Sequence, residues 1–517
     1  MSASEREQRR RPSLVFIGFM GAGKSAALAA CREVGMVTTE IDDLMERALG
    51  KSIADAFAED GEEAFRAREA EIVGELLETA DGGAIALGGG SVLSERVREA
   101  LGRHVVVWLQ IDAPQAWTRI AGTSRPLARS VDDVTTLLGV RLPLYERLAD
   151  AILPAGDRDQ IRRALPAVRA LLQMPEGTRL LWAASESGEY PVLCGPGVLE
   201  SGWWPLEGRR FCVTDASVGP LYAERLEPLA ARLEAPPGEA AKTMPEAERL
   251  LRELARAGMT REDHLVALGG GVVGDLAGFC AHVYQRGVPV VQVPTTLVAQ
   301  VDSAYGGKTG VDIPEGKNYA GAYHLPAAVL ADTSMLASLP REELAAGFVE
   351  VLKTGLLAGG ELWDRVRSMG SLDATAMGEV VFACARFKCE VVAADERDAG
   401  PRATLNLGHT IGHAIEAASG YSRYRHGEAV GLGLLAALDL SGAPDLREET
   451  EAILRSHDLP VSLDASLDTD AIVEALERDK KRTAAGVGFV LLPRPGEPQT
   501  GQILDPAKVR AAVEGLR

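Results

Sequence analysis

The sequence predicts an α/β protein, with parallel α/β units over residues 13–335 and a mainly helical region after them. Three observations predict it. Short apolar runs rich in β-branched residues alternate with longer Ala/Leu/Glu/Arg-rich segments of helical period, as strands joined by helical crossovers do. Two glycine-rich stretches, Gly18–Ser25 and Gly269–Asp275, each lie between such a strand and such a helix. From Arg341 onward the pattern is mostly helical. The 517 residues allow three or four domains at roughly 100–200 residues each.

In chain order, residues 1–12 are polar and carry Arg9, Arg10 and Arg11 with no apolar core behind them. They read as a disordered arm and not a signal peptide. Leu14–Ile17, Ala84–Leu87 and Val105–Leu109 read as buried strands of a first domain, 13–172, with a helix over Ala26–Arg32. The breakers Pro175 and Gly177 mark a linker over 173–179. Arg210–Val213, His264–Leu268, Val288–Val293 and Ala328–Leu330 are the strands expected of a second α/β domain, 180–335. A helical domain over 336–517 includes Ala429–Leu440, the most apolar long stretch, which is about one buried helix long.

Composition excludes several classes. Hydrophobic residues at 46% and charged residues at 25% rule out disordered, collagen-like and disulfide-scaffold chains. No apolar run reaches the ~18 residues of a membrane span. Asp+Glu outnumber Lys+Arg by 74 to 55, for a net charge of −19, which argues against general nucleic-acid binding. Anions can still bind where basic side chains are concentrated. Cys31, Cys194, Cys212, Cys280, Cys384 and Cys389 form no Cys-x-x-Cys pair, so they read as core thiols of a cytoplasmic protein.

Gly18-Phe-Met-Gly21-Ala22-Gly23-Lys24-Ser25 fits the phosphate loop G-x-x-x-x-G-K-[ST]. Its glycines let backbone N–H groups approach a polyphosphate at a helix N-terminus. Lys24 is placed for the β- and γ-phosphates of ATP, and Ser25 for Mg²⁺. The motif says nothing about the phosphoryl acceptor. Gly269-Gly270-Gly271-Val-Val-Gly274-Asp275 contains G-x-G-x-x-G, a weak dinucleotide signal, since no acidic residue follows at the end of a second strand as a plain Rossmann unit requires. Three of the eight histidines fall between His409 and His426. With Glu350 on an earlier helix they make an open metal site possible, and their i, i+4 spacing nominates both His409 and His413 as ligands.

Further residues complete two resemblances. Glu40-Ile-Asp42, Arg66, Gly88-Gly89-Gly90, Arg125 and Arg141 follow the phosphate loop in order, and Pro12–Pro154 resembles shikimate kinase, a small P-loop fold with a parallel sheet and helices on both faces. The resemblance implies that Asp42, Arg66, Gly89, Gly90 and Arg141 bind shikimate and that Arg125 is a lid residue reaching the transferring phosphate. Glu40 replaces the family's Asp near Mg²⁺, and Ala26 its usual Thr. Paired Arg forks suit a carboxylate substrate.

From about Thr178 onward, Pro294-Thr295-Thr296-Leu297, Gly306-Gly-Lys308, Gly316-Lys317-Asn318 and Asn406-Leu-Gly-His409-Thr-Ile-Gly-His413 resemble 3-dehydroquinate synthase: an α/β NAD-binding domain plus a helical metal-binding domain. This implies Zn²⁺ or Co²⁺ on Glu350, His409 and His426, with His413 turned to the substrate. It implies NAD⁺ on Asp215, Glu239, Lys242, Gly270, Gly271, Asp275, Thr295, Thr296 and Lys317, with Ser217 where Asn is usual. It implies a sugar-acid phosphate held by Arg286, Asp302, Lys308, Asn318, Lys353, Lys388, Arg402, Asn406 and either Lys480 or Lys481. The resemblance implies that the metal polarises a hydroxyl, NAD⁺ removes and returns hydride, phosphate leaves and an aldol step closes the ring, so that NAD⁺ is not consumed. The expected protein joins both activities, taking shikimate and 3-deoxy-arabino-heptulosonate 7-phosphate. It pairs as a homodimer through the second half, where Arg286 reaches a neighbouring subunit. Two other readings stand beside it: another sugar-phosphate cyclase in the second half, or a non-catalytic ATP-sensing module in the first.

Overall fold

Leu14–Ile17 forms strand β1 over the range that its apolar run predicts, and all four residues are buried. The structure is a computed structural model that describes residues 10–121, 130–156, 158–480 and 488–517, apart from the side chains of 374 and 477–480. Most of the expected N-terminal arm, the Arg125 loop and Lys481 therefore lie outside the described residues. The chain divides into two compact units, one built on the residues up to Ala183 and one on Trp204–Arg517. Among the described residues no helix is long and apolar enough to cross a membrane. All six cysteines are buried and free of disulfides.

In the first unit β1 leads through the glycine loop into α1 (Lys24–Glu33), β2 (Thr38–Glu40), α2 (Ile41–Leu49) and α3 (Ile53–Thr79). Then follow β3 (Ala84–Ala86), β4 (Val105–Gln110), α4 (Val131–Leu148), β5 (Ala151–Pro154) and β6 (Arg179–Ser185). The strand order is β2-β3-β1-β4-β5-β6 with every pair parallel. Helices in each crossover cover the faces, which is why the strands read as apolar runs without alternation. β1 lies between β3 and β4, where the strand order reverses, so the loop after it opens into the sheet's ligand crevice. Ser52 starts α3 by accepting the Asp55 N–H, and Gly61 at φ 82 breaks the helix, re-aiming the turn that carries Arg66 and Glu69. Beyond Pro175 and Gly177, β6 pairs with the edge of β5.

The second unit begins with β7 (Arg210–Asp215), β8 (Ala231–Ala235), α5 (Met244–Arg256), β9 (His264–Gly269), α6 (Gly271–Val283) and β10 (Val290–Pro294). A hairpin, β11 (Lys308–Ile313) and β12 (Gly316–Tyr323), precedes β13 (Ala328–Asp332). The sheet order is β8-β7-β9-β10-β13, all parallel. Leu250 and Leu254 of α5 and Leu276 of α6 are fully buried on it, each contributing ~1.5–3 kcal/mol. Gly274 and Gly278 let α6 lie close: a Cβ there would meet Gln292 Oε1 at 2.9 Å and Thr309 Cγ2 at 2.4 Å. The hairpin was not expected from sequence, because no residue of β12 is buried and the apolar pattern that reveals strands is missing.

The rest is mainly helical, as expected: α7 (Arg341–Ala358), α8 (Ala374–Ala394), α9 (His409–Ala418), α10 (His426–Leu440) and α11 (Thr469–Lys480), with a small hairpin of Phe489–Leu491 and Gln499–Gln502. α7 is buried on every side from Ala345 to Leu357, and α10 is buried from Ala429 to Leu438. Glycines let these helices touch. A Cβ on Gly427 would sit 1.8 Å from the Ala346 carbonyl oxygen, and one on Gly433 2.0 Å from that of Gly408. The backbone of α10 is thereby pressed onto both α7 and α9.

Candidate active sites

In the first unit the phosphate loop is shaped by backbone. Gly21 at φ 80 and Gly23 at φ 96 adopt left-handed angles, and a Cβ on Gly18 would meet the Leu109 carbonyl oxygen at 2.7 Å. Ala22 is buried beneath the loop. Lys24 Nζ donates to the carbonyls of Gly18 and Phe19 at 2.8 and 3.0 Å, so the ammonium already lies over the loop. Ser25 Oγ donates to Glu40 Oε1 at 2.5 Å. The longer Glu therefore reaches the hydroxyl expected to hold Mg²⁺.

Arg66 and Arg141 converge on the glycine turn after β3. Arg66 donates to Glu69 Oε2 at 2.6 Å, and Ser91 donates to the other oxygen of Glu69 at 2.7 Å. A Cβ on Gly90 would meet Arg66 at 2.5 Å, and one on Gly89 would meet Arg141 at 3.4 Å and the Gly18 carbonyl oxygen at 3.3 Å. The two glycine loops are thus neighbours, with one buried guanidinium and one partly buried beside them. Tyr145 OH donates to the Gly89 carbonyl at 2.5 Å, and burial pushes its phenol up to about 12, so it stays a donor. Asp42 sits in the first turn of α2, directly after β2.

In the second unit Asp215 ends β7 and Gly270 follows β9, the two sides of the point where the strand order reverses. A cleft of about 940 Å³ opens there, and its lining includes Asp215, Glu239, Lys242, Gly270, Gly271, Asp275, Thr296, Asp302, Lys317, Asn318, His413 and His426. A Cβ on Gly270 would meet Thr296 at 2.9 Å and one on Gly271 would meet Ser303 Oγ at 2.9 Å, so the turn is a cradle only glycine keeps open. Lys242 pairs with Asp275 at 2.5 Å and Lys317 with Glu239 at 3.5 Å. Asp215 accepts the backbone N–H groups of Ser217 and Val218. Thr295 bonds Gly269 through its backbone N–H.

Against this cleft stands the carboxylate–imidazole cluster. Glu350 Oε1 lies 3.4 Å from both His409 Nε2 and His426 Nε2, and the three ligand atoms fall within 4.8 Å of one another. Both Glu350 oxygens are buried without a well-aligned hydrogen bond, although Lys353 Nζ stands 2.6 Å from Oε2. A buried carboxylate facing two imidazole nitrogens is the donor set of a divalent transition metal, and the residues fit one. His413 does not join this group and faces His426 and Glu416 instead. Spacing alone could not separate His409 from His413. The α9–α10 contact does, because it decides which imidazole meets Glu350.

Buried charge surrounds the cluster. Lys388 pairs with Asp302 at 2.5 Å. Burial opposes ionisation of Asp302, but the Lys388 and Lys353 charges outweigh it and hold the carboxyl down to about 2. Burial likewise opposes the Lys353 charge, and Glu350 and Asp302 raise it. For Lys388 burial prevails and lowers it. His413 opens on the cleft, and desolvation by the cleft walls together with the neighbouring His409 lowers it to about 4. Lys308 pairs with Asp398 at the start of the β11 strand. Arg402 is buried, with its guanidinium on the carbonyls of Glu396 and Gly306 at 2.6 and 3.3 Å. Asn406 is exposed at the end of the turn Pro401–Asn406, and Arg286 is exposed at φ 70, outside the cleft lining. Lys480 ends α11 with no described side chain.

Comparison with known proteins matches both halves of the chain to known families. The shikimate kinase family model matches residues 20–171, and the N-terminal and C-terminal models of 3-dehydroquinate synthase match 232–346 and 347–482. The 3-dehydroquinate synthase of Symbiobacterium thermophilum is 43% identical over 357 residues, which are 64% of this chain and 99% of the relative. That of Halorhodospira halophila is 42% identical over 354 residues, 65% and 100% of the two chains. The chain belongs to the 3-dehydroquinate synthase family. With the kinase ahead of it, it is a bifunctional enzyme of the shikimate pathway. Among solved structures, the 2-epi-5-epi-valiolone synthase of Streptomyces hygroscopicus subsp. jinggangensis, with NAD⁺ and Zn²⁺ bound, is 26% identical at TM-score 0.59 and matches 65% of this chain and 98% of its own. A 2-deoxy-scyllo-inosose synthase at 24% identity and TM-score 0.60, covering 66% of this chain and all of its own, shares the fold. The 43% relatives carry the dehydroquinate name, and the cyclases of other products stand further off.

Sequence reasoning missed several residues of these synthase and kinase sites. Glu69 is three residues past Arg66 and Glu416 three past His413, both buried carboxylates on helices. An acidic residue one turn from a candidate base or ligand is the signal that could have found them. Asp398, the partner of Lys308, carries no such spacing, because it lies on a distant loop.

Proposed function

We propose that the residues assembled in each unit divide the two reactions as follows. In the kinase, backbone N–H groups of Gly21, Ala22 and Gly23 hold the ATP phosphates, and Lys24 exchanges its loop carbonyls for phosphate oxygens. Ser25 and Glu40 hold Mg²⁺. Arg66 and Arg141 clamp the shikimate carboxylate against Gly89 and Gly90, Asp42 orients the ring hydroxyls, and Arg125 supplies charge to the transferring phosphoryl group.

In the synthase, Glu350, His409 and His426 hold the metal, Zn²⁺ or Co²⁺. Asp215, Glu239, Lys242, Gly270, Gly271, Asp275, Thr295, Thr296 and Lys317 hold the nucleotide. When bound, the metal polarises a substrate hydroxyl and NAD⁺ accepts and returns its hydride. Lys308, Lys353 and Lys388, with Arg402 and a lysine at 480 or 481, supply positive charge for a substrate anionic at both ends. Asp302 fixes Lys388, while Asn318, Asn406 and His413 orient the substrate's hydroxyls. The protein is cytoplasmic and forms a homodimer through the synthase half, with Arg286 serving the partner's site.

The convergence of one buried carboxylate and two imidazole nitrogens beside the nucleotide cradle carries the synthase reading. Metal and nucleotide analysis of untreated protein should find one transition metal and one NAD⁺ per chain. Phosphate release should follow addition of 3-deoxy-arabino-heptulosonate 7-phosphate. Turnover with sedoheptulose 7-phosphate alone would overturn the substrate assignment.

A further inference from the structure

A histidine that ligates a metal has a second ring nitrogen, and whatever holds that nitrogen decides which lone pair faces the ion. His409 Nδ1 lies 3.2 Å from the Leu407 carbonyl oxygen, which leaves its Nε2 toward Glu350. His426 has no such carbonyl. Its Nδ1 lies 3.4 Å from Glu416 Oε1, while its Nε2 lies 3.4 Å from Glu350 Oε1. Glu416 is 5% exposed on α9, where a carboxylate is costly unless its charge is answered. The answering groups are His426 and Lys317, whose Nζ lies 4.0 Å from the same oxygen.

His413, Glu416 and His426 also place ligand atoms within 4.8 Å of one another, so Glu416 has two conceivable roles, ligand or orienter. The neighbouring cation decides between them. Lys317 Nζ stands 4.0 Å from the same Glu416 Oε1 that faces His426, so that carboxylate is already balanced by an ammonium, whereas Lys353 stands on Glu350 Oε2 and leaves Oε1 to His409 and His426.

We propose that Glu416 is the positioning residue for His426: it accepts the Nδ1–H hydrogen bond, fixes the tautomer whose Nε2 faces Glu350 and His409, and raises the imidazole's strength as a ligand. Lys317 balances the remaining charge and ties this carboxylate to the nucleotide cleft. The inference rests on Glu350, His409 and His426 being the ligands.

The test uses the full chain with Glu416→Ala and Glu416→Gln. Zn²⁺ affinity is read by competition with a chromophoric chelator, and ligand geometry by the visible spectrum of Co²⁺-loaded protein. Glu416→Ala should weaken Zn²⁺ binding ~10–100-fold and shift the Co²⁺ bands. Glu416→Gln keeps an accepting oxygen, so it should restore most of the affinity and the wild-type bands, an outcome that general misfolding does not produce. Affinity within about twofold of wild type in the Ala variant, with unchanged bands, overturns the proposal. So does a Gln variant as weak as Ala with fewer ligands on Co²⁺, which would make Glu416 a ligand. His409→Ala is the companion variant: if it binds Zn²⁺ as wild type does, the ligand set itself is wrong, and not only the role of Glu416.

Discussion

The kinase unit makes its phosphate site largely from backbone, whereas the synthase unit makes its metal site from buried side-chain charge. Gly18, Gly21 and Gly23 lie in one short stretch, and their angles shape the loop before any ligand arrives. Glu350, His409 and His426 come from three helices, and only the packing of α7, α9 and α10 brings them together. A local site depends on conformational freedom at a few positions. A convergent site depends on the whole helical layer, and it holds at its centre charges that would be unstable apart.

The largest expected effects separate the two. Lys24→Met should lower shikimate-dependent ADP release by at least ~10³-fold, the scale of losing a transition-state cation, while phosphate release from the heptulosonate continues at the wild-type rate. His409→Ala should do the reverse, removing the metal and the synthase activity and sparing the kinase. Coupled ADP and phosphate assays on both variants read the result. Loss of both activities in either variant would break the contrast, because it would make the sites interdependent.

Glycine substitutions sharpen the contrast at a smaller scale. A Cβ on Gly90 meets the far end of Arg66, which can swing away, whereas a Cβ on Gly427 meets the Ala346 backbone at 1.8 Å, which cannot. Gly90→Ala should raise the KM for shikimate by ~10-fold, equivalent to about 1.4 kcal/mol, and leave the fold intact. Gly427→Ala should push α10 off α7, at a cost of ~3 kcal/mol in the helical layer, and release the metal while kinase turnover is unchanged. Titrated metal content and shikimate saturation curves measure the two. Equal metal content in wild type and Gly427→Ala would show that α10 tolerates the displacement.

The same contrast explains what could be read in the sequence. The phosphate loop was legible because its chemistry and its context are contiguous: β1 and α1 flank Gly18–Ser25 as the motif requires. Seven of the parallel strands were legible as buried apolar runs, whereas β2 and β8, which are partly exposed, were not named as strands. The proposed metal ligands could be chosen as a set only through family resemblance, since the spacing of His409 and His413 points equally to both. What separates them is tertiary, namely Gly427 and Gly433 holding α10 against its neighbours. The β11–β12 hairpin stayed hidden because its residues are half exposed and rich in glycine. Glu416 and Glu69 stayed hidden because a carboxylate on a helix ordinarily faces water, and only the fold shows that these two do not.

The smallest effect concerns acid. Each unit buries a histidine away from its chemistry: His104 takes the Ser13 N–H on Nδ1 and faces the Leu77 carbonyl oxygen, while His264 Nε2 accepts from Trp204 Nε1 at 2.8 Å at the start of β9. Burial is the main cause that lowers both, with the nearby Arg210 adding to it for His264, which falls from 6.5 to about 4. The unfolded chain therefore takes up a proton in this window that folded His264 refuses, so stability rises with pH there and acid removes it. This contribution should be complete above pH 6.5 and lost progressively toward pH 4, on the order of 2–3 kcal/mol. Protonation also removes the lone pair that Trp204 donates to, at the strand whose far end carries Gly269–Gly271. His264→Gln keeps an accepting oxygen and has no titration, so urea melts of the synthase unit between pH 7 and 4 should fall less steeply than in wild type. Matching slopes would mean that His264 does not carry this acid sensitivity, which would then arise at the buried charges of the metal site instead.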